Sequence, residues 1–170
     1  MSAQEILVRR AERLSQAAAL FREPVRTVEL LCFQIDGERY GLETRFAFSV
    51  MQRANPATLP GVPAHFLGIL GVQGEIVPAV DLARIWGKVS AKPGLAAVVL
   101  GVDQPEFAIV VDSLEELVRY PESEIASAPA LEDHHEFVAR LIHGMPLLDG
   151  QALLDDARFA IHPSTERSIT

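Results

Sequence analysis

The sequence predicts a mainly β protein made of small closed or nearly closed barrels, preceded by one helix. From Val28 onward the apolar residues alternate with polar ones, the period of a strand that buries one face. The alternating runs are short and are separated by turn residues, a spacing typical of small barrels. Composition alone does not choose such barrels over a single β-sandwich.

The first 21 residues have a helical period instead. Their apolar residues recur at four- and three-residue steps and form one stripe: Leu7, Ala11, Leu14, Ala18 and Phe21. Pro24 ends this helix, so we assign residues 1–27 to an N-terminal amphipathic extension. A lone helix of this length is marginally stable in water, and its stripe is therefore expected to dock. Docking on the chain's own domain is the favoured expectation, and docking on a partner is the alternative.

The β region can be divided into individual strands. The first hairpin runs from Leu31 to Leu42 around the turn Asp36-Gly37. Further turns are predicted at Gly74, Gln104-Pro105 and His143-Gly144. The predicted strands between and beside them are 66–72, 75–80, 96–102, 107–111, 116–120, 137–142 and 145–149. The polar segment 88–94 is predicted to divide this region into two halves.

Short helices are predicted beside the strands. Asp81 is placed to cap one turn that extends to Trp86, and residues 151–155 form a closing turn after Asp149-Gly150. Residues 44–51 are ambiguous between helix and strand. All three segments are interpreted as connectors rather than sites.

Composition excludes several classes of function. The formal net charge of −8 argues against nucleic acid as a partner, because such binding depends on lysines and arginines that neutralise phosphates. No apolar run approaches the roughly 18 residues that a membrane span needs, so no membrane insertion is expected. Residues 1–20 lack the apolar core of a secretory signal and carry three arginines, which predicts a cytoplasmic protein. The single cysteine, Cys32, is predicted to be a small core residue.

The sequence shows no catalytic set. The sequence has no nucleophile elbow and no phosphate-binding glycine loop, so we predict that the protein is not an enzyme and binds no cofactor. Four aspartates near strand ends are interpreted as caps or turn residues rather than metal ligands: Asp81, Asp103, Asp112 and Asp149. His134 and His135 lie in an acidic run, but adjacent side chains diverge, which favours a solvated loop over a metal site.

Several motifs occur together in an order that identifies a family. Gly68, Gly74, Val77-Pro78 and Val80-Asp81-Leu82 are similar to the central signature of the CheW-like chemotaxis coupling proteins. Flanking segments also resemble that family: Phe33–Leu42, Leu59–Pro63, Phe107–Asp112 and Leu147–Gly150. The resemblance extends over residues 28–161.

This resemblance implies a fold and a role. It implies two SH3-like barrels over residues 28–162, followed by a tail of residues 163–170. It also implies a non-enzymatic scaffold or adaptor in chemosensory signal transduction. Such an adaptor bridges the cytoplasmic tip of a chemoreceptor to the regulatory domain of a CheA-type histidine kinase. The partner-binding residues implied in this way are Ala47, Ser49, Val50, Gly68, Gln73, Gly74, Ile76 and Pro78.

Two departures from the family pattern affect this surface. The usual Asn-x-Arg-Gly turn is Gly71-Val-Gln-Gly74 here, and a usual glutamate is replaced by Ser49. We therefore expect a less polar groove around these residues that selects a partner without the matching anion. One function consistent with this is coupling in a specialised, non-motility pathway. The alternative is a stand-alone interaction module that binds the kinase regulatory domain, or another CheW-like barrel, without receptor contact.

Overall fold

The computed structural model describes residues 2–21, 24–89, 94–128 and 136–160. Within these ranges the chain forms three α-helices: α1 (Ala3–Phe21), α2 (Leu82–Ile85) and α3 (Gly150–Asp155). The strands are β1 (Thr27–Ile35), β2 (Glu38–Glu43), β3 (Ala47–Met51), β4 (Phe66–Val72), β5 (Glu75–Val80), β6 (Ala96–Leu100), β7 (Phe107–Val111), β8 (Ser113–Pro121), β9 (Ile125–Ser127), β10 (Val138–Ile142) and β11 (Met145–Leu148). The predicted mainly β class is confirmed.

The strands form two sheets, and each sheet is the wall of one SH3-like barrel subdomain. Barrel A has the strand order β8-β1-β2-β11-β10-β9, and barrel B has the order β3-β6-β7-β5-β4. Most neighbouring strands are antiparallel. Each barrel also contains one parallel pair, β11 with β2 in barrel A and β5 with β7 in barrel B.

The predicted division at residues 88–94 is wrong. Strands β5 and β6, which precede and follow this segment, belong to the same sheet. Barrel B is instead inserted whole between β2 and β8, and barrel A is completed by strands from both ends of the chain. The parallel pairing of Leu147 with Gly41 joins those two ends. Local composition does not report strand pairing between residues this far apart. The polar segment was therefore predicted to be a boundary between the barrels, although it connects two strands of barrel B.

Three hairpin turns share one backbone conformation. In Asp36-Gly37, Gln73-Gly74 and His143-Gly144 both residues have positive φ, near 50° for the first and near 80° for the second. This is the geometry that two-residue hairpin turns of type I′ require, and glycine at the second position adopts it without strain. The turns at 36–37, 74 and 143–144 were predicted for this reason, and the structure contains all three.

Apolar side chains form three clusters. The largest lies between the barrels and joins Phe33 and Leu42 of barrel A to Val98 and Ile109 of barrel B. A second cluster fills barrel B and a third, smaller one fills barrel A. Cys32 is fully buried in β1, and burial raises the pKa of its thiol. Cys32 is therefore a core residue, as predicted.

The ambiguous segment 44–51 contains both kinds of structure. Thr44–Phe46 forms a 3₁₀ turn and Ala47–Met51 continues as β3. Both short α-helices begin at the aspartates predicted to cap them. The Asp81 carboxylate accepts a hydrogen bond from the Ala83 amide at 3.0 Å, and Asp149 accepts one from the Ala152 amide at 3.0 Å. Strand β9 was not predicted, because three residues are too few to show a period.

Helix α1 forms as predicted, but the described part of its stripe, Leu7, Ala11 and Leu14, does not dock on the domain. Every side chain from residue 2 to residue 16 is exposed, including Leu7 at 64% and Leu14 at 69%. The side chains of Ala18 and Phe21 lie outside the description. No helix in the described ranges combines the length and apolarity needed to cross a bilayer.

Candidate functional site

The structure places all eight predicted partner-binding residues on barrel B. Ala47, Ser49 and Val50 lie on β3, which is one edge of the five-stranded sheet. The other five belong to the β4–β5 hairpin, whose strand β4 is the opposite edge: Gly68, Gln73, Gly74, Ile76 and Pro78. The two edge strands do not pair with each other. Both contribute side chains to the apolar cluster inside barrel B, among them Phe48 and Leu70.

The tip of the β4–β5 hairpin is the most exposed part of this surface. Gln73 and Gly74 form the turn, and Ile76, two residues later, is 72% exposed. Ile76 pairs across the hairpin with Gly71, which has no side chain to cover it. The neighbouring residues Val72 and Val77 point the other way into the core of barrel B. A tight turn therefore presents an isolated aliphatic side chain on a rigid two-stranded support.

Two of the predicted contact residues are not at the surface. Gly68 and Pro78 are buried, so neither offers a surface to a partner in this structure. Gly68 has φ of +146°, and a Cβ built there would lie 2.2 Å from the carbonyl oxygen of Ala57. The backbone of Ala57 pairs with Ile69 at this point as an isolated bridge. The glycine is thus required by the close approach of another segment of the chain.

On β3 the predicted residues face in two directions. Ser49 is paired with Val99, whose side chain lies in the interior cluster of barrel B, and Ser49 is itself half-buried. Val50 is on the other face of the strand and is 46% exposed. Val50 is therefore the β3 residue most available to a partner, and Ser49 lies at the margin of the interior.

A charged network that was not predicted lies beside β3. Glu43, at the end of β2, is the one buried charged residue in the described ranges. Its carboxylate accepts hydrogen bonds from Arg45 at 2.6 Å and from Arg140 on β10. Burial opposes ionisation of Glu43, but the two arginines outweigh it and hold its pKa below the ordinary value of 4.5. Both arginines also line an open cavity of about 620 Å³ with Glu29.

This network holds the 3₁₀ turn that precedes β3. Arg45 belongs to the 3₁₀ turn that leads from β2 into β3, and its guanidinium also lies over the Phe46 ring at 4.4 Å. A glutamate directly after the apolar Leu42 in a strand was the available signal. Its partner Arg140 is 97 residues away, and no local pattern connects the two.

The described residues contain no cluster of candidate metal ligands. No group of three or more histidine, cysteine, aspartate or glutamate side chains within these ranges is placed to hold a metal ion. His134 and His135 lie outside the described residues, so the prediction of a polar loop there stays a prediction. Of the predicted partner-binding residues on barrel B, the exposed ones are Val50, Gln73, Gly74 and Ile76.

Comparisons with known proteins agree with this description. A family model described as the CheW-like domain matches residues 29–158. The protein FrzA of Myxococcus xanthus is 29% identical over 59% of this chain and 64% of its own length, just under two thirds. The chemotaxis protein CheW of Rhizobium meliloti (strain 1021) is 22% identical over 82% of this chain and 90% of its own length.

A solved structure has the same fold. The crystal structure of the scaffolding protein TtCheW from Thermoanaerobacter tengcongensis matches with a TM-score of 0.63 at 19% identity, covering 72% of this chain and 88% of that chain. Proteins of the CheW family are scaffold adaptors in chemotaxis signalling and are not enzymes. This confirms the prediction of an adaptor in chemosensory signalling and the prediction that the protein is not an enzyme. Because the family model covers the greater part of the sequence, this chain belongs to the CheW-like family.

Proposed function

We propose that this protein couples the cytoplasmic tip of a chemoreceptor to the regulatory domain of a CheA-type histidine kinase. Its membership of a family of chemotaxis scaffolds supports this role. In such a role the protein acts through geometry, because it holds two partners at a fixed separation and orientation. The proposal implies a cytoplasmic location.

The observation that carries the proposal is the exposed tip of the β4–β5 hairpin. Energetically important interface residues are large side chains that lose their exposed surface on binding. Ile76 is 72% exposed and stands on a turn whose two residues both have positive φ. Such a rigid support lowers the entropic cost of binding. We assign one partner contact to Gln73 and Ile76, with Val50 of β3 as a further contact.

The charge of this surface bears on which partner it selects. Gln73 is neutral where the family resemblance implies a cation, and Ser49 is neutral where it implies an anion. Losing a hydrogen bond that involves a charge costs about 1.5–3 kcal/mol unless the partner has also changed. We therefore propose a receptor that lacks the matching anion, in a specialised, non-motility chemosensory pathway.

A second candidate function rests on the same neutral residue. Without a cation at position 73 the protein would bind the kinase regulatory domain, or another CheW-like barrel, and leave the receptor uncontacted. The two candidates differ in one measurable property, namely affinity for a receptor tip.

Titration calorimetry of the full chain tests both candidates, with the cognate receptor tip and the kinase regulatory domain as separate ligands. We expect Ile76→Ser to weaken binding of one of these partners by roughly tenfold, the equivalent of 1.4 kcal/mol. Its melting temperature should stay close to that of the wild type, because the side chain is already largely in solvent. Leu117→Ser is the matched control, since Leu117 is a similarly exposed aliphatic residue on β8 of barrel A.

The outcomes separate the candidates. Coupling predicts measurable binding of both partners, with only the Ile76 variant impaired. Binding of the kinase domain alone would favour the stand-alone module. Equal losses of affinity for Ile76→Ser and Leu117→Ser, or no loss for either, would show that the hairpin tip is not part of the interface.

A further inference from the structure

Helix α1 presents an apolar stripe with charge on one flank only. At 100° per residue, Leu7, Ala11 and Leu14 lie within about 60° of one another. Arg10 lies about 60° from Leu7 on one side of this stripe, and Arg13 is the next cation on the same flank. Glu5 and Glu12 lie on the far side of the helix, about 140–160° from Leu7. The exposed stripe is therefore bordered by guanidinium groups and not by carboxylates.

A cleft elsewhere on the molecule is complementary to this stripe, because it combines an apolar lining with acidic residues. It lies between the β1–β2 turn, β4 and the start of α2, and its volume is about 330 Å³. Its lining is mostly apolar and includes Ile35, Leu67 and Val110. This volume is at the lower end of the range of ligand-binding clefts in proteins.

The rim of this cleft is acidic. It carries Asp36, Asp81 and Asp112 against a single cation, Arg84. The charge of Arg84 is already engaged, because its Nε lies 3.4 Å from Asp81 and its Nη1 donates to the Ala64 carbonyl at 2.7 Å. The rim therefore has an excess of negative charge close to Asp36 and Asp112. An aliphatic stripe flanked by arginines matches an apolar floor with such a rim.

We infer that this cleft is the docking site for helix α1 of a second copy of the chain. The contact is of the helix-in-groove kind, in which residues at i, i+4 and i+7 enter the groove and flanking charges set the register. Leu7, Ala11 and Leu14 have this spacing. Arg10 and Arg13 would then face the aspartate rim. This self-association goes beyond the proposed adaptor role.

The position of α1 in the chain favours a second copy over the same copy. α1 ends at Phe21, close in sequence to Thr27 at the start of β1, whereas the cleft lies at the other end of that strand, beside Ile35 and Asp36. Nine residues of strand separate these ends by about 27 Å. The helix of the same copy would have to fold back along the full length of β1, whereas the structure shows its side chains in solvent from residue 2 to residue 16. The helix of a neighbouring molecule has no such constraint.

Sedimentation velocity on the full chain tests the inference, using a wide range of protein concentrations at low ionic strength. We expect concentration-dependent association that Arg10→Glu weakens by roughly tenfold or more, and that added salt also weakens. Arg9→Glu is the matched control, because it changes the net charge equally from a position about 160° from Leu7. Asp36→Asn tests the cleft side, since asparagine also tolerates the positive φ of this turn position. It should weaken association without lowering the melting temperature.

An intermolecular label identifies the contact. A nitroxide on Gln16→Cys in unlabelled protein, mixed with ¹⁵N-labelled wild type, should broaden the amide signals of Asp36, Leu67 and Asp112 in the labelled molecules. The buried Cys32 does not compete for the label. A second sample, in which the spin-labelled chain itself carries ¹⁵N and is diluted with unlabelled wild type, reports contact within one molecule. Broadening of these amides in that sample alone would overturn the inference in favour of docking within one molecule. A wild type that stays monomeric, or equal losses from Arg9→Glu and Arg10→Glu, would also overturn it. The measurement contains no receptor or kinase, so its outcome does not depend on the adaptor proposal.

Discussion

Arg140 donates a hydrogen bond to Glu43 across 97 residues of sequence, and this pair joins the last part of the chain to the strand that leads into barrel B. Arg45 donates to the other oxygen of the same carboxylate at 2.6 Å. Glu43 is 8% exposed, so its charge depends on both guanidinium groups. The network fixes the position of the 3₁₀ turn that begins β3, and β3 carries part of the proposed partner surface.

Glu43→Gln is expected to lower the free energy of unfolding by about 1–3 kcal/mol, because it removes a charged acceptor shared by two arginines. Chemical denaturation at neutral pH would measure this loss. Glu29→Gln is the matched control. Glu29 also pairs with an arginine, Arg119 at 2.8 Å, but it is more exposed and its replacement should cost less. Equal effects would show that burial of Glu43 adds nothing.

The stability that Glu43 contributes should depend on pH. The pKa of Glu43 is lower in the folded protein than its ordinary value of 4.5, so ionised Glu43 contributes stability at every pH above that value. The contribution is lost as the pH falls through the folded pKa. The difference in unfolding free energy between wild type and Glu43→Gln should therefore be constant near neutrality and shrink below about pH 4.5. A difference that grew on acidification would contradict this assignment.

Gly68→Ala is expected to destabilise the protein by about 2 kcal/mol or more, because the residue has φ of +146° and the new methyl group would meet the Ala57 carbonyl. In a protein of this size that corresponds to a fall in melting temperature of roughly 5 °C or more. Gly71→Ala in the same strand is the control, since a Cβ there meets nothing within 4 Å. Calorimetry should show little change for the control variant.

Deletion of residues 1–24 is expected to leave the melting temperature almost unchanged, because the described side chains of α1 up to residue 16 are exposed. The deletion should remove self-association at the same time. A fall of several degrees would instead mean that the helix packs on its own domain in solution. Differential scanning calorimetry of the full and shortened chains at several concentrations separates the two effects.

Gln73→Arg is expected to gain affinity for a conventional receptor tip and to lose affinity for the cognate one, because it restores the missing cation at an exposed turn position. The double variant with Ser49→Glu tests the full charge pattern. Since Ser49 is half-buried, the second change should also lower stability, and the single variant is the cleaner measurement. Titration calorimetry against both tips gives the comparison. Wild-type binding to a conventional tip as tight as that of the variants would show that these departures are neutral.

Much of the local structure was predictable because it is determined by neighbouring residues. The alternation through Leu31, Phe33 and Ile35 predicted β1, and the pairs Asp36-Gly37 and His143-Gly144 predicted their turns. Each depends on side-chain period or on backbone freedom within a few residues. The same holds for the two aspartates that cap α2 and α3.

The candidate site was predicted only in part. Gln73 and Ile76 are exposed as a contact surface requires, because turn position and strand period can both be read locally. Gly68 and Pro78 were assigned to the same surface but are buried, since their surroundings come from other segments of the chain. The Glu43 network was missed for the same reason.

The sequence by itself determined the β class, the positions of the hairpins, the caps of the short helices and the family. Tertiary structure alone decided that barrel B is inserted into barrel A, that the side chains of residues 2–16 of α1 are exposed, and that Glu43 meets Arg140. The physical reason is the range of the interactions involved. Backbone preferences and side-chain periods act over a few residues, whereas the pairing of β11 with β2 and the burial of a charge depend on segments that meet only after the chain has folded.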